Sequence, residues 1–499
     1  MAKSPRRDAS TSWQPSIQTE QSFARGTILV LALAFAASYV AAYIACFRPN
    51  WFLSVLICIP VVLGFVVTML GGDGLNISMG SVTLRTTDPG TLGLLIGILY
   101  HARSGGLRQL RRQPGGAVLR VIIVFLVIKV LATIMFGGNS IASNALANTL
   151  GGGLAAALGE VRDDLLAVIV PMYVIVSSRH LKLSRMVVPF LTAIGIILVK
   201  ALLTIVDTGQ IWSSTAEFRF IHADDAIELT FLSFVIFFFP AAARRQRFFR
   251  FAACIAFIIA LVANHRSQWL ASILGVSVLL FLFMAGKLTL LKHRQSRVVW
   301  IMTVPIAIMI YLAIMYSGNQ STLGSDTTGI GTRALAFTDP ASDPDSKWRM
   351  ALWLARIEEA NEHWIGGRFL GVRPLTLVNG RLLGVPNHNA YLTAYELGGV
   401  LLLGLVIALW GALVIEAIKR MRAAGPPSIT WAPAVALSVV SASLAFGVAY
   451  DFPLIGPALA TVLLLREPNR PLSIHGFTGH SKVPVMQSIR LEASRTRGA

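Results

Sequence analysis

The residues best suited to handle anions and protons fall at one place in this chain's topology. The stretch GVPNHNAYLTAYELGG, residues 384–399, sets Asn387, His388 and Asn389 before a long apolar run and drops Glu396 inside it. Asn389 has the side chain of a helix N-cap, for a helix starting near Tyr391. The N–H groups of such a first turn point out of the helix and favour an anion. His388 stands one residue before the cap and shares that mouth. A histidine there is either a proton acceptor near neutrality or an ordinary polar loop residue. Glu396 lies two turns down the helix, either paired with an arginine or facing a water-filled cavity.

Arginines gather on the same side. Arg266, in NHRSQW, sits at the mouth of two spans, 251–264 and 268–286. It either snorkels to headgroups or contacts an anion. The segment SDPDSKWRMALWLARIEEANEH opens with cap-type residues and spaces Met350, Trp353, Leu354, Ile357 and Trp364 as one stripe of a helix. That stripe predicts an amphipathic helix lying on the membrane surface or against the bundle. Arg349, Arg356 and His363 recur every seven residues and share another face. Arg368, Arg373 and Arg381 follow, and Arg219 lies in EFRFIHADDAIEL on the same side. Arg349, Arg356 and Arg373 are each either ligand contacts or solvated charges. Asp224 and Asp225 are either a metal pair or charges at a helix start, where the dipole favours them. His222 and His265 read as surface residues. Several arginines, one histidine and a helix N-terminus on one face suit an anionic, phosphorylated substrate presented from lipid.

The elements that position these residues follow from composition. Of 499 residues, 55% are hydrophobic and only 13% charged, against about 25% charged in soluble globules. Apolar runs of about 20 residues recur along the chain, each long enough to cross a bilayer as a helix. The expected fold is an all-α polytopic membrane protein of about twelve spans with one large loop containing short helices. The net charge of +19 is not a nucleic-acid signature, because the basic residues form short clusters between apolar runs. Clusters at 103–113, 179–185, 244–250, 287–297 and 419–422 mark the cytoplasmic face. Residues 1–26 then form a basic cytoplasmic tail, 27–316 the N-terminal bundle, 317–390 a periplasmic loop, 391–466 the C-terminal spans and 467–499 a second cytoplasmic tail. Spans are expected near 117–136, 163–178, 187–206, 226–242, 251–264, 268–286, 298–316, 391–416, 428–449 and 453–465. Segments 27–46, 51–70 and 90–102 compete for an even number of crossings between two basic flanks. Cys46, Cys58 and Cys254 lie in or beside apolar runs, with no metal or disulfide spacing.

The ordered set resembles the O-antigen ligase and polysaccharide polymerase superfamily of bacterial membrane glycosyltransferases. It is carried by HRSQWLA with Arg266, KWRMALW with Arg349 and Trp353, HWIGGRFLGV with Gly366 and Gly367, and HNAYLTAYELGG with His388, Asn389, Tyr391, Leu392, Glu396 and Gly398. It covers about residues 210–420; earlier residues match only in hydropathy. Where the family has Gly-X-Gly after a His-Pro-like start, this chain has His363-Trp364-Ile365-Gly366-Gly367-Arg368. The resemblance implies an inner-membrane enzyme without cofactor or metal, acting on an undecaprenyl-pyrophosphate-linked oligosaccharide and a glycan acceptor. Other polysaccharide assembly and export proteins would be its partners. It implies His388 as general base and Arg266 and Arg349 at the pyrophosphate. Arg219, Asn389, Tyr391, Glu396, Arg356 and Arg373 would bind substrate. The motifs point to a repeat-unit polymerase or to a ligase acting on lipid A core.

A reading of another class is a lipid-linked glycan flippase. It rests on Lys129 and Lys200, charges inside spans that must snorkel or find a carboxylate. The absence of a visible internal repeat counts against it.

Overall fold

A computed structural model describes residues 17–69, 77–79, 82–84, 88–136, 153–208, 221–263, 265–285, 344–370, 376–378, 381–383, 387–423, 431–452 and 455–465. The helices of the N-terminal part are α1 (Ile17–Phe47), α2 (Pro49–Met69), α3 (Asp88–Arg103), α4 (Gly116–Phe136), α5 (Gly153–Val176), α6 (Leu183–Thr208), α7 (Ala223–Phe238), α8 (Ala243–Val262) and α9 (Arg266–Met284). The loop supplies α10 (Pro344–Asn361), and the chain ends with α11 (Ala390–Ala423), α12 (Trp431–Phe446) and α13 (Ile455–Leu463). Two antiparallel hairpins complete the described structure. In the first, β1 (Ile77–Met79) pairs with β2 (Val82–Leu84), Ser78 opposite Thr83. In the second, β3 (Thr376–Val378) pairs with β4 (Arg381–Leu383), Leu377 opposite Leu382.

The chain is a helical membrane protein. Among the described residues, four helices are long and apolar enough to cross a bilayer: Gly116–Phe136, Leu183–Val206, Arg266–Met284 and Ala390–Ala423. Shorter apolar helices include Leu31–Phe47, Pro49–Cys58, Leu165–Val176 and Trp431–Phe446. Most expected spans coincide with a helix; the one at 298–316 lies outside the described residues.

The first three helices alternate in direction. A Cβ on Gly93 would stand 2.8 Å from the Ala41 Cβ, and one on Gly97 2.8 Å from the Ala45 Cβ and 2.7 Å from the Tyr173 ring. α1 and α3 are therefore parallel and in backbone-close contact, the small-residue packing that membrane helices favour. α2 runs back beside this pair, with Leu56 3.2 Å from a Cβ on Gly90. The Ala45 carbonyl, near the end of α1 where the helix leaves carbonyls free, receives the Tyr173 hydroxyl at 2.6 Å and lies 3.1 Å from His101 Nε2. This alternation runs against the even count of crossings expected from the two basic flanks.

α7 is the centre of the bundle. It is buried on every side: the consecutive residues from Leu229 to Phe237 are all enclosed, Thr230 and Ser233 among them. α9 crosses α12 where Gly275 leaves room: its carbonyl accepts the Ser438 hydroxyl at 2.8 Å, and a Cβ there would sit 2.7 Å from the Phe234 ring. Lys200 on α6 pairs with Asp225 in the first turn of α7 at 2.8 Å. Of the two outcomes expected for that lysine, snorkelling or a carboxylate partner, the carboxylate is the one present.

Two glycines separate packing from propensity. Gly97→Leu is expected to cost about 1–3 kcal/mol or more by overpacking, whereas Gly195→Leu should be tolerated because nothing lies within 4 Å of its Cβ position. Thermal unfolding of the purified protein in detergent checks this; equal melting temperatures for the two variants would refute the α1–α3 contact.

Candidate functional site

The site is built on the start of α11. Asn389 caps it: its Oδ1 accepts the backbone N–H of Tyr391 at 3.1 Å and of Leu392 at 3.0 Å. The Ala390 N–H reaches outside the helix, to the carbonyls of Gly447 at 2.9 Å and Tyr450 at 3.0 Å. The Tyr391 hydroxyl donates to the Leu444 carbonyl at 2.9 Å. The end of α12 and the link that follows it are thus fastened to the mouth of α11. His388, just before the cap, has φ of 46°. This left-handed conformation is uncommon for a residue with a side chain, although histidine adopts it more than most. Its ring lies edge-on to Tyr450, centroids 6.0 Å apart.

The loop helix α10 approaches from the other side. Pro344 opens it, where the absent N–H costs nothing. Arg349 Nη1 donates to the Ala449 carbonyl at 3.2 Å, and its guanidinium carbon lies 5.8 Å from the Tyr450 ring centroid. One turn on, Trp353 Nε1 donates to the Asn387 carbonyl at 2.8 Å, directly before His388. Arg349, His388 and the Asn389 cap thus meet around Tyr450.

Arg356 departs from the expectation of a solvated or ligand-contacting charge: it is 2% exposed. Its Nη1 lies 3.4 Å from Glu359 Oε2 and its Nε 3.8 Å from Glu396 Oε1. Glu396 also accepts the Asn387 amide at 2.8 Å. Of the two expected roles for Glu396, a partner for an arginine is the one present. The buried face of α10 is Leu352, Arg356 and Ala360, and the apolar stripe of Met350, Leu354 and Ile357 is exposed.

Beneath this pair α11 is broken. Gly398 and Gly399 leave helical geometry, Gly399 with φ of 60°, and the loop turn fills the gap. Val400 N–H donates to the Trp364 carbonyl at 2.8 Å, and Arg368 N–H to the Glu396 carbonyl at 3.0 Å. A Cβ on Gly367 would collide with Leu397 at 2.4 Å, and one on Gly399 with the Trp364 carbonyl at 2.3 Å. Lys129 in α4 donates to the carbonyls of Gly366 at 2.6 Å and Gly367 at 3.1 Å. Main-chain carbonyls are thus partners of Lys129, a kind its position in an apolar run does not reveal.

Arg266 stands at the same end of the bundle, one element away, as the first residue of α9. His265 before it is buried rather than at the surface, with Nε2 2.8 Å from the Ile221 carbonyl. Asp224 and Asp451 are near enough for their like charges to repel, which sets the start of α7 beside the Tyr450 link. Arg219 and Arg373 lie outside the described residues. Among the described residues, no group of three or more His, Cys, Asp or Glu is arranged to hold a metal ion. Sequence reasoning missed Tyr450, an aromatic in a short link, and the partners of Lys129, carbonyls more than two hundred positions away.

The class defined by this geometry is a polytopic helical membrane protein with a basic, histidine-bearing helix mouth. No protein-family model matches the chain, and no curated protein is similar enough in sequence to count as a relative.

Removing one partner of a buried pair costs about 3–5 kcal/mol, because the other charge stays buried. Glu396→Ala and Glu396→Gln are therefore both expected to lower the unfolding temperature, Glu396→Gln less because it keeps an acceptor for Asn387. Parent-like unfolding temperatures for both variants would show that the Asn387–Glu396–Arg356 network contributes little.

Proposed function

We propose that the chain transfers or polymerises glycan units carried on a polyprenyl pyrophosphate, acting at the membrane face that holds His388. The observation that carries this reading is the meeting of Arg349, His388 and the Asn389-capped helix start around Tyr450. Arginine forks suit pyrophosphate, and the positive end of the α11 dipole favours the same charge. The resemblance carried by Arg266, Arg349, Trp353, His388 and Glu396 adds a substrate class that the geometry alone does not name.

In this reaction an acceptor sugar hydroxyl attacks the anomeric carbon of the donor glycan. His388 takes the hydroxyl proton as the new glycosidic bond forms. The bond from the anomeric carbon to the pyrophosphate oxygen breaks, and its electron pair leaves with polyprenyl pyrophosphate. Arg349 and Arg266 stabilise that departing charge. A single displacement of this kind inverts the anomeric centre. The buried Arg356 is assigned a supporting part, because it engages Glu359 and Glu396.

The flippase reading loses its main support. Lys200 meets a carboxylate and Lys129 two loop carbonyls, so both fit a structural account.

His388→Ala, Arg266→Ala and Arg349→Ala are each expected to lower transfer at least about 100-fold while leaving membrane expression intact. Purified variants are assayed on a polyprenyl-pyrophosphate oligosaccharide, and parent-like rates would overturn the assignment. A deletion strain separates the two products: single repeat units on the core mark a lost polymerase, and lipid-linked polymer with bare core a lost ligase.

A further inference from the structure

The turn between α10 and Leu370 combines two properties that do not belong together in a water-exposed loop. Trp364, Ile365 and Phe369 are exposed, at 54%, 53% and 40%. Yet the main chain that bears them is locked into the flank of the bundle. It bonds to Val400 and Glu396 of α11, and to Lys129 of α4.

Two helices give the depth of this lock independently. Lys129 stands seven residues before the end of α4 at Phe136, and Glu396 six residues after the start of α11 at Ala390. Each is therefore about 10 Å from its helix end. The chain rises again beyond the turn: Leu370 N–H donates to Thr133 Oγ1 at 3.3 Å, one turn nearer the end of α4 than Lys129. At the level of the lock, Ile128 and Leu131 on α4 and Val400 and Leu401 on α11 are exposed too. Both helices are apolar and long enough to cross a membrane, so these side chains face lipid. The turn's exposed residues continue that band.

We propose that residues 364–369 form a re-entrant segment that enters the leaflet on the His388 side, where Trp364 and Ile365 contact lipid acyl chains. The backbone chemistry fits such a place. Main-chain polar groups at hydrocarbon depth need protein partners. Here the Trp364, Gly366 and Gly367 carbonyls and the Gly367 and Arg368 N–H groups all have them. A lysine at that depth needs compensation, and Lys129 obtains it from the turn. This surface does not depend on which reaction the protein performs.

The test reads depth rather than activity. In the full chain, with Cys46, Cys58 and Cys254 replaced by serine, Ile365→Cys carries a nitroxide label in phosphatidylcholine–phosphatidylglycerol vesicles. Relaxation by oxygen and by a water-soluble nickel chelate is compared with labels at Leu131 and Glu362. The Ile365 label should match Leu131, with an oxygen-to-nickel ratio on the order of tenfold above Glu362, because a polar reagent is excluded from hydrocarbon. A ratio like that of Glu362 would place the turn in water and overturn the proposal. Shielding from both reagents would show another protein surface covering it, and would also overturn it. A lipid-dissolved diazirine, photolysed with the unsubstituted protein, gives a second reading. Adducts at Trp364 or Ile365 are expected, and labelled helices with an unlabelled turn would refute the contact.

Discussion

The helix that carries the site cannot complete its own backbone ladder, and a loop completes it. At Gly398–Gly399, α11 leaves helical geometry. Orphaned N–H and carbonyl groups in hydrocarbon are costly, so a break must be repaired by protein. The repair is reciprocal: the loop gives the Trp364 carbonyl to Val400, and the helix gives the Glu396 carbonyl to Arg368. Gly367 and Gly399 both adopt positive φ, and side chains there would strike opposing backbone. Loop and helix are thereby held in register, with Arg349 and Arg356 on one and His388 and Glu396 on the other.

Several charges inside the bundle, among the described residues, are matched by a polar partner. Lys200 meets Asp225, Arg356 meets Glu359 and Glu396, and Glu416 meets Arg420 at 3.0 Å. Lys129 meets carbonyl dipoles instead. Buried ion pairs contribute little net stability against an apolar alternative, but breaking one is expensive. Their effect here is placement: Arg356–Glu396–Asn387 joins the middle of α10, the second turn of α11 and the residue before His388.

The parts legible in the sequence were those encoded locally. Apolar runs of membrane length became helices, and Asn389 capped α11 as its side chain dictates. Arg356 was misjudged because helical spacing gives a shared face but not which face turns inward. His265 was misjudged because its partner, the Ile221 carbonyl, lies on the approach to another helix. Tyr450 carried no signal at all, since its importance arises where three distant segments converge. Alternation of α1, α2 and α3 rests on Gly93 and Gly97 facing alanines, which charge counting on flanks does not see.

Most acceptors that set the site are main-chain carbonyls. Arg349 reaches Ala449, Trp353 reaches Asn387, Tyr391 reaches Leu444, and the Ala390 N–H reaches Gly447 and Tyr450. A carbonyl is supplied by any residue, so this geometry is written in the lengths of connections more than in their letters. Changing the letters at 444 or 449 can leave the hydrogen bonds standing, whereas a Cβ at Gly447 would stand 2.6 Å from the Phe452 ring. Adding or removing one residue between them would shift every bond at once. Proteins that share such a site would keep the length of this link fixed, together with Gly447 and Tyr450, while the residues that lend only a carbonyl diverge.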